Sequence, residues 1–103
     1  MGKQAVAGNL GKKVRSDCHI SMELTNSGGR QIEILSKVEV MFGRTNKKLL
    51  NDILDYYQID HISIMMQDAG ALPFVIAARA EACIKKLVDT HKEFLLEHQA
   101  FNQ

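Results

Sequence analysis

Three short stretches in which apolar and polar residues alternate strictly most constrain the fold of this 103-residue chain. They run from Cys18 to Leu24, from Gln31 to Leu35 and from His61 to Gln67. Side chains point to opposite faces of a strand with a period of two, so one face of each stretch is apolar. The alternation therefore predicts three half-buried β-strands.

Helical spacing of apolar residues occupies much of the remaining sequence. Ser36 and Glu39 have the Ser-x-x-Glu spacing of a capping box, which predicts a helix from about Lys37 to Tyr57. Pro73 suits the first turn of a last helix, where its missing N–H has no partner to lose. The apolar stripe of that helix comprises Ile76, Ala80, Cys83, Ile84, Leu87 and Val88. Residues 91–103 are predicted to extend it.

These elements follow one another in the order β-β-α-β-α. Residues 25–30 contain Gly28-Gly29 and predict a turn, so the first two strands are expected to form a hairpin. A parallel pairing of the second and third strands would cross over through the first helix. The predicted fold class is α+β, with a small three-stranded sheet and two helices packed on one face. Residues 1–16 are predicted to be a flexible basic arm, and residues 17–103 a single domain.

The formal net charge of +1 is unevenly distributed. Residues 1–16 carry four basic side chains and no acid, which gives +4, whereas the nine basic and twelve acidic side chains of residues 17–103 give −3. A basic arm on an acidic body is typical of a segment that meets an anionic group. The alternative is a tail that only increases solubility.

Composition excludes several classes of protein. Two cysteines are too few for a disulfide scaffold or a zinc site, and no apolar run approaches the length of a membrane span, so a reduced cytoplasm is the expected setting. Cys18 and Cys83 both fall on apolar faces and are interpreted as core residues rather than nucleophiles. The four histidines lack metal-ligand spacing. No catalytic residue and no metal site are therefore predicted.

One serine has surroundings that suit a modification. Ser16 is the only hydroxyl-bearing residue of the arm, and it follows Lys12, Lys13 and Arg15. Such a serine can be a covalent attachment point, since the three cations favour the phosphates of a donor or a tethered group. The alternative is a serine that merely ends a loop.

A set of short motifs is spread over roughly residues 5–88. It comprises the opening segment Ala5-Val6-Ala7-Gly8-x-Leu10, then Val38-Glu39, Phe42-Gly43, Asp52, Leu54, Tyr57, Asp68, Gly70-Ala71-Leu72 and Ala78-Arg79-x-Glu81-Ala82. In these motifs and their order the chain resembles the acyl carrier protein of citrate lyase, its gamma subunit.

The resemblance implies a non-catalytic carrier subunit of an enzyme complex. In that family a serine near the N-terminus holds 2'-(5''-phosphoribosyl)-3'-dephospho-CoA, placed there by a prosthetic-group transferase. The thiol of this arm carries acetyl and citryl thioesters between the citrate lyase alpha and beta subunits during citrate fermentation. Ser16 is the expected covalent attachment site, with Lys12, Lys13 and Arg15 beside it.

The sequence departs from the family pattern at the attachment site. That pattern reads Gly-x-Leu-Glu-Ser-x-Asp, and with Asp17 in register Arg15 takes the position of the serine, one residue before Ser16. Three alternatives stay open: a divergent paralogue with a different group or none, the related acyl carrier of malonate decarboxylase, and an interaction module with a basic arm. Nucleic acid is disfavoured as a partner, because the arm has no aromatic residue to stack on bases.

Overall fold

The computed structural model describes residues 3–9, 11, 13, 16–36 and 43–90. Strands and helices follow in the order β1 (Gln4–Gly8), β2 (Asp17–Leu24), β3 (Arg30–Ser36), α1 (Gly43–Tyr56), β4 (Ile62–Ala69) and α2 (Pro73–Leu87). The predicted start of the first helix, at residues 37–42, and the predicted extension at 91–103 lie outside the described residues.

The four strands form one mixed sheet in the order β1-β2-β4-β3. β2 pairs antiparallel with both β1 and β4, and β3 pairs parallel with β4. The predicted parallel pairing across the first helix is thereby confirmed. The predicted hairpin is wrong, because β4 lies between β2 and β3.

One face of the sheet forms one side of the hydrophobic core. Ile20 of β2 faces Met66 of β4, and Met22 faces Ile64, and all four side chains are at most 2% exposed. The residues between them in sequence point to the opposite face and remain half-exposed or exposed. Alternation thus predicts the core-facing side of the strands correctly, although Leu24, Ile32 and Ile34 on that side are only half-buried.

Both helices cover the buried face. α2 packs on β1 and β2, while α1 packs on β3 and against α2. Pro73 begins α2 as predicted, and the buried residues of that helix match the predicted stripe except that Ala77 joins it and Val88 is only half-buried. Neither helix of the described part of the chain has the length and apolar character that crossing a bilayer requires.

The α+β class is confirmed, with four strands rather than three. The additional strand is Gln4–Gly8, which the sequence predicts as part of a loop. It pairs with β2 from Gln4 opposite Glu23 to Gly8 opposite His19. The predicted flexibility of the rest of residues 1–16 stays a prediction.

Candidate functional site

Ser16 lies immediately before β2, with its side chain exposed. Its backbone has a φ of +56°, in the left-handed region that residues other than glycine seldom adopt. Its N–H donates a 2.8 Å hydrogen bond to the carbonyl of Ala69 at the end of β4. The hydroxyl is therefore presented to solvent from a backbone that is tied to the sheet.

The next residue, Asp17, is buried and accepts hydrogen bonds from three side-chain and backbone groups. Arg79 of α2 donates to both carboxylate oxygens, from Nε to Oδ1 at 3.1 Å and from Nη2 to Oδ2 at 2.9 Å. The side-chain amide of Asn9 and the N–H of Cys18 each donate at 2.7 Å. The Arg79 guanidinium, with help from the other donors, holds the pKa of Asp17 at about 2 despite the opposing effect of burial.

The same contacts close the segment that carries Ser16. Asn9 bonds to Asp17 through its side chain, and its N–H also donates to the Cys18 carbonyl at 3.1 Å. The residues on either side of the segment from 10 to 16 are thereby joined at its base. We call Asn9, Asp17 and Arg79 the Asp17 clamp.

The predicted basic neighbours of Ser16 are only partly described. Lys13 is exposed, whereas Lys12 and Arg15 lie outside the described residues. The sequence analysis did not assign Arg79 to this site. Both Asp17 and Arg79 occur in the family pattern, but they are 62 residues apart, and no periodicity connects them.

The polar side of α2 is engaged within the molecule. Besides Arg79, Glu81 accepts a 2.6 Å hydrogen bond from the hydroxyl of Tyr57, which connects α2 to the residue after α1. His61, at the start of β4, accepts a 2.9 Å hydrogen bond through Nδ1 from the N–H of Gly29. Both hydrogen bonds join separate elements of the fold.

Both cysteines are core residues, as predicted. Cys18 and Cys83 are fully buried, and burial raises the pKa of the Cys18 thiol to about 12 and that of Cys83 to about 11. Thiols are nucleophilic only as thiolates, so neither is suited to attack a substrate. Within residues 3–9, 11, 13, 16–36 and 43–90, no group of three histidine, cysteine or acidic residues can hold a metal ion.

A cavity of about 490 Å³ opens at the same end of the sheet as Ser16. It lies between the first turns of the two helices and is lined by Thr45, Asn46, Asp68, Gly70, Ala71, Leu72 and Pro73. Sequence analysis did not predict it. Gly70 is joined to Asp17 by an isolated β-bridge, which places one wall of the cavity next to the clamp.

Comparison with known proteins places the chain among acyl carrier proteins. The family model described as Malonate decarboxylase delta subunit (MdcD) matches residues 2–87. A citrate lyase acyl carrier protein from Weissella paramesenteroides is 36% identical over 84% of this chain and 86% of its own length. That of Serratia proteamaculans is 30% identical over 84% and 82%, and one from Vibrio cholerae is 33% identical over 72% and 76%.

No solved structure matches the chain significantly. The family match nevertheless spans every described strand and helix, from β1 to the end of α2. The identity to two of the curated relatives also extends over more than four fifths of each chain. This chain belongs to the citrate lyase acyl carrier protein family.

Proposed function

We propose that the chain is the non-catalytic acyl carrier subunit of a citrate-lyase-type complex in the cytoplasm. It carries acetyl and citryl thioesters on a 2'-(5''-phosphoribosyl)-3'-dephospho-CoA group joined to Ser16 by a phosphodiester. The names of the curated relatives support the carrier role. The position of Ser16 supports the attachment site.

The observation that carries this proposal is an exposed hydroxyl on an anchored backbone. Ser16 is exposed, its N–H is bonded to Ala69, and the Asp17 clamp holds the next residue. A group as large as a coenzyme A derivative fits at such a position, because no buried side chain has to move to admit it. The left-handed φ of Ser16 costs about 1–3 kcal/mol, and strain of this kind is concentrated at functional sites.

The charges near Ser16 suit the proposed modification. Lys13 is exposed, and Lys12 and Arg15 complete a cluster of three cations in the four residues before Ser16. Lysine and arginine bind phosphate oxygens through charge-assisted hydrogen bonds. In this proposal they hold the phosphates of the incoming donor while the transferase acts.

The carrier needs no catalytic residues of its own for this role. The thiol of the bound group supplies the thioester chemistry. Tethering keeps the thioester at a high effective concentration near the alpha and beta subunits of the lyase, which carry out the successive reactions. This chain contributes a stable anchor and an accessible attachment point.

A carrier of the malonate decarboxylase type is the second candidate. It is favoured by the description of the family model that matches residues 2–87. It would use the same attachment residue but a different acyl group and different partner subunits.

Intact mass tests the attachment. Protein purified from its native host during growth on citrate is expected to exceed the polypeptide mass by the mass of the bound group, and Ser16→Ala is expected to remove that increment. Ser27→Ala is the matched control, because Ser27 is also an exposed serine in a loop. A bare polypeptide mass for the wild-type protein under these conditions, or an increment that persists in Ser16→Ala, would contradict the proposal.

Co-purification separates the two candidate complexes. A tagged carrier from the same cells is expected to recover the two larger citrate lyase subunits. Recovery of malonate decarboxylase subunits instead would favour the second candidate. Nucleic acid that elutes with rising salt would argue against both.

A further inference from the structure

The cavity between the two helices has the size of a ligand site. Its volume of about 490 Å³ lies within the range of about 300–1,000 Å³ that small-molecule pockets occupy. Its lining is predominantly apolar, and its polar side chains are those of Thr45, Asn46 and Asp68. These are the features of a site for a largely apolar ligand that contains some hydrogen-bonding groups.

A buried carboxylate fixes one wall of the cavity. Asp68 is only 3% exposed, and its Oδ1 accepts hydrogen bonds from the N–H of Gly70 at 3.0 Å and of Ala71 at 2.9 Å. The side-chain amide of Asn46 approaches its Oδ2 at 3.5 Å. These hydrogen bonds preform the wall of the cavity at Asp68.

The cavity is adjacent to the attachment serine. The N–H of Ser16 bonds to Ala69, and the next four residues, from Gly70 to Pro73, all line the cavity. A flexible group bound to Ser16 therefore samples the cavity mouth continuously, and even a weak affinity for the free ligand yields high occupancy when the ligand is tethered.

One apolar side chain of the cavity lining is left in solvent. Leu72 lines the cavity and is 56% exposed. A ligand in the cavity would bury part of this apolar surface, which favours binding.

We propose that this cavity binds the uncharged amide and methylene chain of the group tethered at Ser16, the chemical class of pantetheine. The inference rests on the proposed function for the identity of the tethered group. The bound state shelters the thiol end of the arm between visits to the partner subunits.

Binding of the free ligand tests the cavity without any modification of Ser16. Protein labelled with ¹⁵N, produced without the transferase and shown by mass to be bare, is titrated with free pantetheine. Saturable amide shifts are expected at Thr45, Asn46, Gly70, Ala71 and Leu72. Citrate, the control ligand, is expected to produce none of them. Shifts that are absent, or spread over the whole domain, would overturn the proposal.

Two variants localise the site. Ala71→Leu fills the cavity and is expected to abolish the saturable shifts, while Ala78→Leu, an exposed position on α2, is expected to retain them. Leu72→Ser weakens the apolar mouth at an exposed position, so it provides a second test if Ala71→Leu does not fold. Equal binding by all four proteins would exclude this cavity as the site.

The protein that carries the group at Ser16 provides a second measurement, the reactivity of the thiol of that group. The arm thiol is expected to react several-fold faster with a disulfide reagent in Ala71→Leu and Leu72→Ser than in the wild type. The buried Cys18 and Cys83 do not contribute to this signal. A native protein with the mass of the unmodified polypeptide would refute the attachment at Ser16. The titration with free pantetheine would then still test whether the cavity binds this ligand. A loaded protein whose thiol reacts at the same rate in wild type and variants would refute the cavity alone.

Discussion

The carboxylate of Asp17 accepts four hydrogen bonds. Its two oxygens accept from a guanidinium, an amide and a backbone N–H, all within 3.1 Å. An arginine that binds both oxygens of a carboxylate fixes orientation as well as distance. Asp17 therefore holds α2, the end of β1 and the start of β2 together beside Ser16.

The depressed pKa of Asp17 predicts a specific dependence of stability on pH. Its pKa is about 2 in the folded protein against an ordinary value of 3.8, so the folded state favours the ionised form. The stabilisation is fully present above pH 3.8 and is lost as the pH falls towards 2. Urea unfolding of the wild type between pH 5 and pH 2 is expected to show this loss, and Asp17→Asn is expected to flatten the profile in that interval.

A core substitution separates this effect from general destabilisation. Ile64→Val removes one methylene from a fully buried side chain and should lower the free energy of unfolding by about 1 kcal/mol at every pH. Its profile should run parallel to that of the wild type. An Asp17→Asn profile that is also parallel to the wild type would contradict the assignment.

Sequence analysis predicted single residues well where they follow a period and poorly where they pair at a distance. Cys18 and Cys83 were identified as core residues from alternation and helical spacing, and both are fully buried. Arg79 enters the sequence analysis only as one of the residues that carry the family resemblance. Its partner is 62 residues away, and a hydrogen bond between such residues depends on how strands and helices pack.

The sequence of β1 does not show the clear alternation of large apolar and polar residues that predicts a strand. In Gln4–Gly8 the buried side chain is the small Ala5, while the larger Val6 is 51% exposed. The strand is held from outside by its pairing with β2 and by Lys86, whose Nζ donates to the Val6 carbonyl at 2.8 Å. Its apolar pattern is therefore too weak to predict a strand.

Glycine is required where β1 ends. Gly8 has a φ of +102°, and a Cβ at this position would overlap the carbonyl of Cys18. Gly8→Ala is therefore expected to disturb the pairing of β1 with β2 and to lower the free energy of unfolding by about 2 kcal/mol or more. Equilibrium unfolding in urea measures this loss.

Gly29→Ala is the matched control for this prediction. Gly29 also has a positive φ, +73°, but no atom lies within 4 Å of the position of an added Cβ. The backbone strain alone should cost about 1 kcal/mol. Equal losses in the two variants would show that the close approach to Cys18 does not matter.

The predicted hairpin of β2 and β3 does not form, because β4 lies between these two strands and pairs with both. Ile62, Ile64 and Met66 are buried on one face, and Met65 on the other is half-buried, a pattern that suits a strand paired on both sides. The turn at Gly28-Gly29 reverses the chain as predicted, but β2 and β3 separate enough to admit β4. Turn chemistry predicted the change of direction, whereas long-range burial determined which strands pair.

The sheet order predicts how stability is distributed over the molecule. Amides of β4 are covered by strands on both sides, whereas β1 is an edge strand that pairs only with β2. Native-state hydrogen exchange should therefore be slowest in β4 and β2 and faster in the two edge strands, β1 and β3. Protection of β1 equal to that of β4 would mean that the sheet opens only as a single unit.

The first and last residues of α2 lie far apart in the domain. The helix starts at Pro73, four residues after the Ala69 carbonyl that holds Ser16, and its 15 residues advance about 22 Å to Leu87. Asp89 is exposed just beyond that far end. A dye, a bead or a second protein attached there lies far from Ser16, so this domain can be immobilised or fused while the end that carries Ser16 stays open.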